Sequence, residues 1–320
     1  MLQNLYPMFD SNDITFVADQ DSIFDYFMSR GQRIRKYHKN MIFPRNTVCI
    51  QSSAEHFLDL EDNQDALINQ DAKILRIPLI VFGNDYDSFM YTFEQLLRCD
   101  LIAMFDLKDR LLSKFEENNW LIAVNTSSSS KVICKFGEDA KYKYPSEILI
   151  DNGTTRSIAE YLEVSFDYNP RTPHSFHLDG DFDFKSCVYA ILPNQDKITE
   201  EQKEQARFLC NEVSNAELCN LKIMDNHAVS LSIDDKEYIH ILQEIVGTDF
   251  GLRVTEFAFG LNQNLFPVAD WSYNSQLNEG CSGVHIGFSD AKSGIHIDFI
   301  SPSLNVLDMV GPCIYKTRQS

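Results

Sequence analysis

The residues equipped for chemistry gather in 280–301, which reads GCSGVHIGFSDAKSGIHIDFIS and holds His285, His296 and Asp298. Two imidazoles and a carboxylate form a donor set for a divalent cation, whether zinc, manganese or iron. Such a cation either activates water and polarises a carbonyl, or leaves open positions for oxygen chemistry.

The spacing says how these side chains meet. Val284, Ile286 and Phe288 flank His285, while Ile295, Ile297 and Phe299 alternate with His296, Asp298 and Ile300. A strand alternates faces with period two, so His296 and Asp298 point the same way. Residues 289–294 (SDAKSG) have the length and chemistry of a hairpin turn. Pairing the two strands brings His285 close to the His296–Asp298 pair.

The remaining elements must position this hairpin. Residues 1–150 alternate strand and helix patterns. Strands are expected at 14–18 and 47–50, and a buried one at 74–82 in spite of Pro78. Helices are expected from Ser22 to about Tyr37, capped by Asp21 or Ser22, and at 89–97 and 101–115. Trp120 to Asn125 closes this α/β set as a strand, and the serine run 127–130 is a hairpin turn into 131–136. A domain boundary is placed in 137–157. Residues 151–320 are richer in short strands, at 163–166, 175–178, 186–192, 221–224 and 228–233. Two helices interrupt them, 199–213 with a capping box from Thr199 to Gln202, and 238–246, on which His240 is a surface or packing histidine. The fold class is therefore α/β plus α+β: an N-terminal α/β layer domain, 1–150, followed by a β-rich domain, 151–320.

Composition narrows the function. The 320 residues carry a formal net charge of −19, a field that repels phosphate backbones and disfavours nucleic acid. The basic run Arg30 to Lys39 reads as a solvated helix face. No 18-residue apolar run and no basic-then-apolar N-terminus are present, so no membrane partner and a cytoplasmic location are expected. The eight scattered cysteines read as reduced thiols. Neither GxGxxG nor GxxxxGK[ST] occurs, so nothing marks a nucleotide site.

Three pieces in order, VTEFAFGLN at 254–262, GVHIGF at 283–288 and SGIHIDF at 293–299, resemble the C-terminal catalytic domain of the aminopeptidase T family of metallo-aminopeptidases. The 2,5-dihydroxypyridine dioxygenases, with one non-haem iron, are similar to the same fold. The match covers roughly residues 250–300. It implies that Glu256, His285, His296 and Asp298 are metal ligands. It also implies an earlier glutamate, for which Glu163 in LEVSF is the best match and Glu160 its competitor. Glu163 or Glu256 is then the catalytic proton acceptor. The chain departs from the family between His285 and His296, where only eleven positions separate the two and the family's tyrosine-bearing insertion is missing. Tyr273 reads as a packing residue. Four firm donors and one softer one support one metal more readily than two.

Three functions follow. The first is a metal-dependent hydrolase of a peptide or related amide. The second is a mononuclear iron oxygenase using His285, His296 and Asp298. The third is a non-catalytic relative that binds a peptide or small metabolite in a biosynthetic pathway. Relatives of this type imply a possible homodimer.

Overall fold

Short β-branched runs separated by amphipathic helices build a five-stranded parallel sheet near the N-terminus. Its order is Ile34–Lys36, Thr15–Ala18, Asn46–Ile50, Lys73–Ile77 and Thr154–Ser157. The protein is known here from a computed structural model, which describes residues 2–63, 68–117, 120–125, 130–137, 140–167, 175–247, 251–289, 294–302, 304–308 and 313–315.

The other two sheets are antiparallel. One has eight strands, ordered Lys236–Glu237, His227–Ile233, Cys219–Met224, Phe176–Phe184, Lys131–Phe136, Trp120–Asn125, Leu304–Asp308 and Cys313–Tyr315. The other has six, ordered Ser186–Ala190, His296–Ser301, Gly283–Phe288, Val254–Gly260, Glu163–Asp167 and Tyr142–Lys143. Mixed helices and several sheets are thus an α/β plus α+β architecture. Sheet membership crosses residue 150 in both directions: Thr154–Ser157 extends the parallel sheet, while Trp120–Asn125 and Lys131–Phe136 enter the eight-stranded one. Apolar side chains from all three sheets join one continuous core, in which Phe136, Phe166, Phe257 and Phe259 meet ring to ring.

Several expected elements change. The helix begun at Ser22 covers only Asp21–Ser29, its N-cap is Gln20, and Gly31 turns the chain with φ +66°. The next residues pair in parallel with Thr15–Ala18, so the basic run 30–39 forms an edge strand and its flanks rather than a helix face. The run 74–82 is not one strand. Pro78 has no N–H to give a ladder, and the chain goes from Lys73–Ile77 into the helical turn Leu79–Phe82. Trp120–Asn125 belongs to an antiparallel sheet, paired on one side with Lys131–Phe136 and on the other with Leu304–Asp308 from the far end of the chain. The serine turn at 127–130 falls largely outside the described residues, although the strands on either side pair antiparallel as expected. The Thr199–Gln202 capping box is present with both of its hydrogen bonds at 3.1 Å. The seven cysteines whose side chains are described are free thiols. No helix among the described residues is long and apolar enough to cross a membrane.

Candidate metal centre

The register of the six-stranded sheet assembles the site. Glu163 stands opposite Gly260, His285 opposite Ala258, and Gly287 opposite both Glu256 and Asp298. Opposed residues share a face, as do residues two apart along a strand. One face therefore carries Glu163, Glu256, His285, His296 and Asp298, with Gly260, Ala258 and Gly287 between them. The hairpin pairing expected for 283–288 and 296–301 is present, its turn at 290–293 lying outside the described residues.

The small residues are needed for space. A Cβ at Gly287 would lie 2.5 Å from Asp298 Oδ1 and 2.8 Å from both Glu256 Cβ and His296 Cε1. A side chain at Gly260 would strike the Cys281 carbonyl, because the segment around Cys281 crosses that face.

Two clusters result, and they share one residue. Glu163, Glu256 and His285 bring ligand atoms within 4.8 Å of one another, and so do Glu256, His296 and Asp298. His285 Nε2 lies 3.2 Å from Glu163 Oε2 and 3.7 Å from Glu256 Oε1. His296 Nε2 lies 3.2 Å from Glu256 Oε2 and 3.0 Å from Asp298 Oδ2. The Glu256 carboxylate thus turns one oxygen to each imidazole. Among the described residues no such group unites His285, His296 and Asp298, since each imidazole heads its own cluster. The side chains of Glu163, Glu256 and His296 keep 16%, 15% and 16% exposure, against 2% for His285 and Asp298, so the face opens on one side.

The charges are held in tension. Burial lowers the pKa of His285, but the Glu163 charge and its hydrogen bonds raise it well above the usual value. Burial likewise opposes protonation of His296, and Asp298 and Glu256 overcome it. Burial pushes the Glu256 carboxyl up, yet hydrogen bonds from both histidines hold it below the ordinary range. Burial raises Glu163, and the His285 charge offsets only part of that.

The arrangement fits a resident metal. His296 Nδ1 lies 3.1 Å from the Ser289 carbonyl, which can only accept, so Nδ1 carries a proton and Nε2, facing the carboxylates, is the nitrogen left for a metal once its own proton is displaced. This is how a metal-binding histidine is usually oriented. Thr255 Oγ1 donates to the same carbonyl at 2.6 Å and fixes the turn. His285 Nδ1 and Asp298 Oδ1 are buried without a hydrogen-bond partner. Oxygen and imidazole donors in this number suit zinc, manganese or iron.

Glu160 is committed elsewhere. It accepts from Ser157 N at 2.7 Å and from Arg156 at 3.0 Å. Tyr273 stacks on Tyr91 at 4.6 Å, a packing role as expected, and His240 is exposed. Sequence reasoning passed over Glu279. It ends the short helix Gln276–Glu279 and is 7% exposed. Burial pushes its carboxyl well above the usual range, and the Asp298 and Glu163 charges add to this. No periodicity could have found it, because a turn separates it from His285.

Comparison with known proteins adds a fold and a family. No curated protein matches the chain. Wild-type AmpT from Thermus thermophilus is similar in structure, with TM-score 0.52 and 10% identity over 100% of this chain and 97% of that one. At that identity the likeness is one of fold, and it agrees with the aminopeptidase T resemblance in residues 254–299. The structure of 2,5-dihydroxypyridine dioxygenase from Pseudomonas putida KT2440 matches with TM-score 0.49 and 8% identity, covering 96% and 91% of the two chains. The family described as "Crocagin biosynthetic protein CgnE/B" matches residues 11–307, and this chain belongs to it.

Proposed function

We propose that the chain holds two divalent cations on the six-stranded sheet and acts as a metal-dependent hydrolase of a peptide or related amide within a biosynthetic pathway. The observation that carries this reading is the Glu256 carboxylate, which presents one oxygen to each of two ligand clusters. Glu163 and His285 would complete one binding position, and His296 and Asp298 the other. Bound there, such ions supply an activated water and polarise a carbonyl. The three carboxylates exceed the two imidazoles in charge, and cations relieve that excess. Glu256 is spent on holding both positions. Glu163 is likewise spent as a ligand, so proton transfer falls to Glu279, the buried carboxyl beside the clusters that the metal positions leave free.

Metal analysis of the purified chain after incubation with zinc, manganese or ferrous iron, followed by dialysis, tests the reading. Close to two ions per chain is expected, together with cleavage of peptide amides. Glu279→Gln should slow cleavage and keep the metal. A chain with no metal above trace sinks the hydrolase and leaves the binding protein. One iron per chain with oxygen uptake points instead to the oxygenase.

A further inference from the structure

The parallel sheet carries a second polar site, distant in sequence from the metal cluster. Thr15–Ala18 and Asn46–Ile50 are neighbours at its centre, with Ile34–Lys36 on one side and Lys73–Ile77 on the other. The strand order reverses between them, and doubly wound sheets bind ligands at the carboxyl ends of such a pair. A pocket of about 460 Å³ opens there, lined by Asp19, Gln20, Tyr37, Lys39, Ser52 and Ser53 among others. That volume lies in the range of small-ligand sites.

Its walls hold polar groups with nothing to bond. Asp19 Oδ2, Gln20 Oε1, Ser52 Oγ and, one layer behind, His56 Nδ1 are buried and without a hydrogen-bond partner. The Asp19 side chain and Ser52 are each 9% exposed. Native proteins rarely leave such groups idle, and several in one place call for a partner that comes from outside. Asp19, Gln20 and Ser52, which carry three of these atoms, line the pocket, so a ligand seated there lies against them.

The chemistry of the walls selects the ligand. Asp19 Oδ2 and Gln20 Oε1 only accept, so they ask for an N–H-rich, cationic group. Lys39 also lines the pocket, together with His38 and the carboxylate Glu55, and the helix Asp21–Ser29 begins here with no side-chain cap at Gln20, which leaves its first N–H groups to favour an anion. Cys49 suggests a different role, since His56 Nε2 lies 3.0 Å from its Sγ and His56 Nδ1 lies 3.6 Å from Asp19 Oδ1. The thiol is fully buried behind the imidazole, which in turn stacks on Tyr37 at 4.0 Å. It cannot reach a ligand in the pocket, so the trio orients Asp19 and is not a nucleophilic triad.

We propose that this pocket binds a zwitterion of the amino-acid or short-peptide class, with the ammonium at Asp19 and Gln20 and the carboxylate at Lys39 and the uncapped helix end. The basic run 30–39 thereby finds a use as one wall of the site.

Isothermal titration calorimetry on the full chain tests this with trialanine, N-acetyl-trialanine and trialanine amide. Trialanine should bind, and removing either terminal charge should weaken binding at least about tenfold, close to the loss of one charge-assisted hydrogen bond. Asp19→Asn and the exposed Lys39→Ala should each weaken trialanine to a similar degree, with circular dichroism and melting temperature verifying that both variants fold. His296→Ala should leave trialanine binding unchanged. No trialanine binding at millimolar concentration overturns the proposal. So does binding that survives in folded Asp19→Asn and Lys39→Ala, or binding lost in His296→Ala, which assigns it to the metal centre.

Discussion

The parallel sheet and the six-stranded antiparallel sheet both bury histidine against acid, and they do it at different places on a strand. In the antiparallel sheet His285, Glu256 and Asp298 stand inside strands, on a face kept open by Gly287, Ala258 and Gly260. In the parallel sheet both faces are covered, so polar groups collect where strands end: Asp19 just past Thr15–Ala18, Ser52 just past Asn46–Ile50. The charge balance differs as well. His56 faces one aspartate and one thiol and needs nothing further to be neutral overall. His285 and His296 face three carboxylates, with Glu279 nearby, and that surplus asks for cations. A surplus of carboxylates calls for cations, whereas a balanced cluster suits a ligand that is itself neutral overall, as a zwitterion is.

The contrast can be broken by substitution. Glu256→Ala removes the residue common to both clusters. Metal content should fall to zero, a loss beyond the ~100-fold that deleting an outer hydrogen-bond partner costs. Gly287→Ala should push Asp298, Glu256 and His296 apart, weakening metal binding on the order of 10–100-fold and destabilising the chain by about 1–3 kcal/mol, as overpacking does. Competition with a chelator and urea unfolding measure the two effects separately.

Acidity sharpens the comparison next. The raised pKa values of His285 and His296 mean that protons occupy Nε2 in the metal-free chain at neutral pH. A metal must displace them, so affinity should rise with pH, by about tenfold per unit for each proton displaced, and binding should acidify a weakly buffered solution. Calorimetry in buffers of different ionisation enthalpy counts those protons. Thr255→Val removes the hydroxyl that holds the Ser289 carbonyl against His296 and should weaken metal binding by about tenfold while leaving stoichiometry intact.

The smallest effect belongs to the balanced cluster. Burial lowers His56, but Cys49 and Asp19 raise it to about 9. A folded value above the unfolded one, about 6.5, stabilises the protein at low pH. That contribution is fully present below about 6.5 and is lost as pH climbs towards 9. Melting temperature should decline by a few degrees over this window, His56→Gln should flatten the decline, and metal content should not change.

What the sequence determined about this protein is what period-two alternation encodes. His296 and Asp298 share a face because a strand puts residues two apart on one side, and the hairpin brings His285 beside them. The Thr199 capping box and the helix Leu101–Glu117 were legible for the same local reason. Helix and strand patterns fail where the partner is remote. Ile34–Lys36 is a strand because Thr15–Ala18 lies beside it, and residues 304–308 return to pair with the outer side of the hairpin that Trp120–Asn125 makes with Lys131–Phe136. Only the tertiary structure decided that Glu256 turns one oxygen to each histidine, since that depends on register across three strands and on the missing side chain at Gly287. It alone brought Glu279 over the same face and opened a pocket between Asp19 and Lys39. Neither is joined to its neighbours by any spacing along the chain, because loops set their positions and loops carry no period.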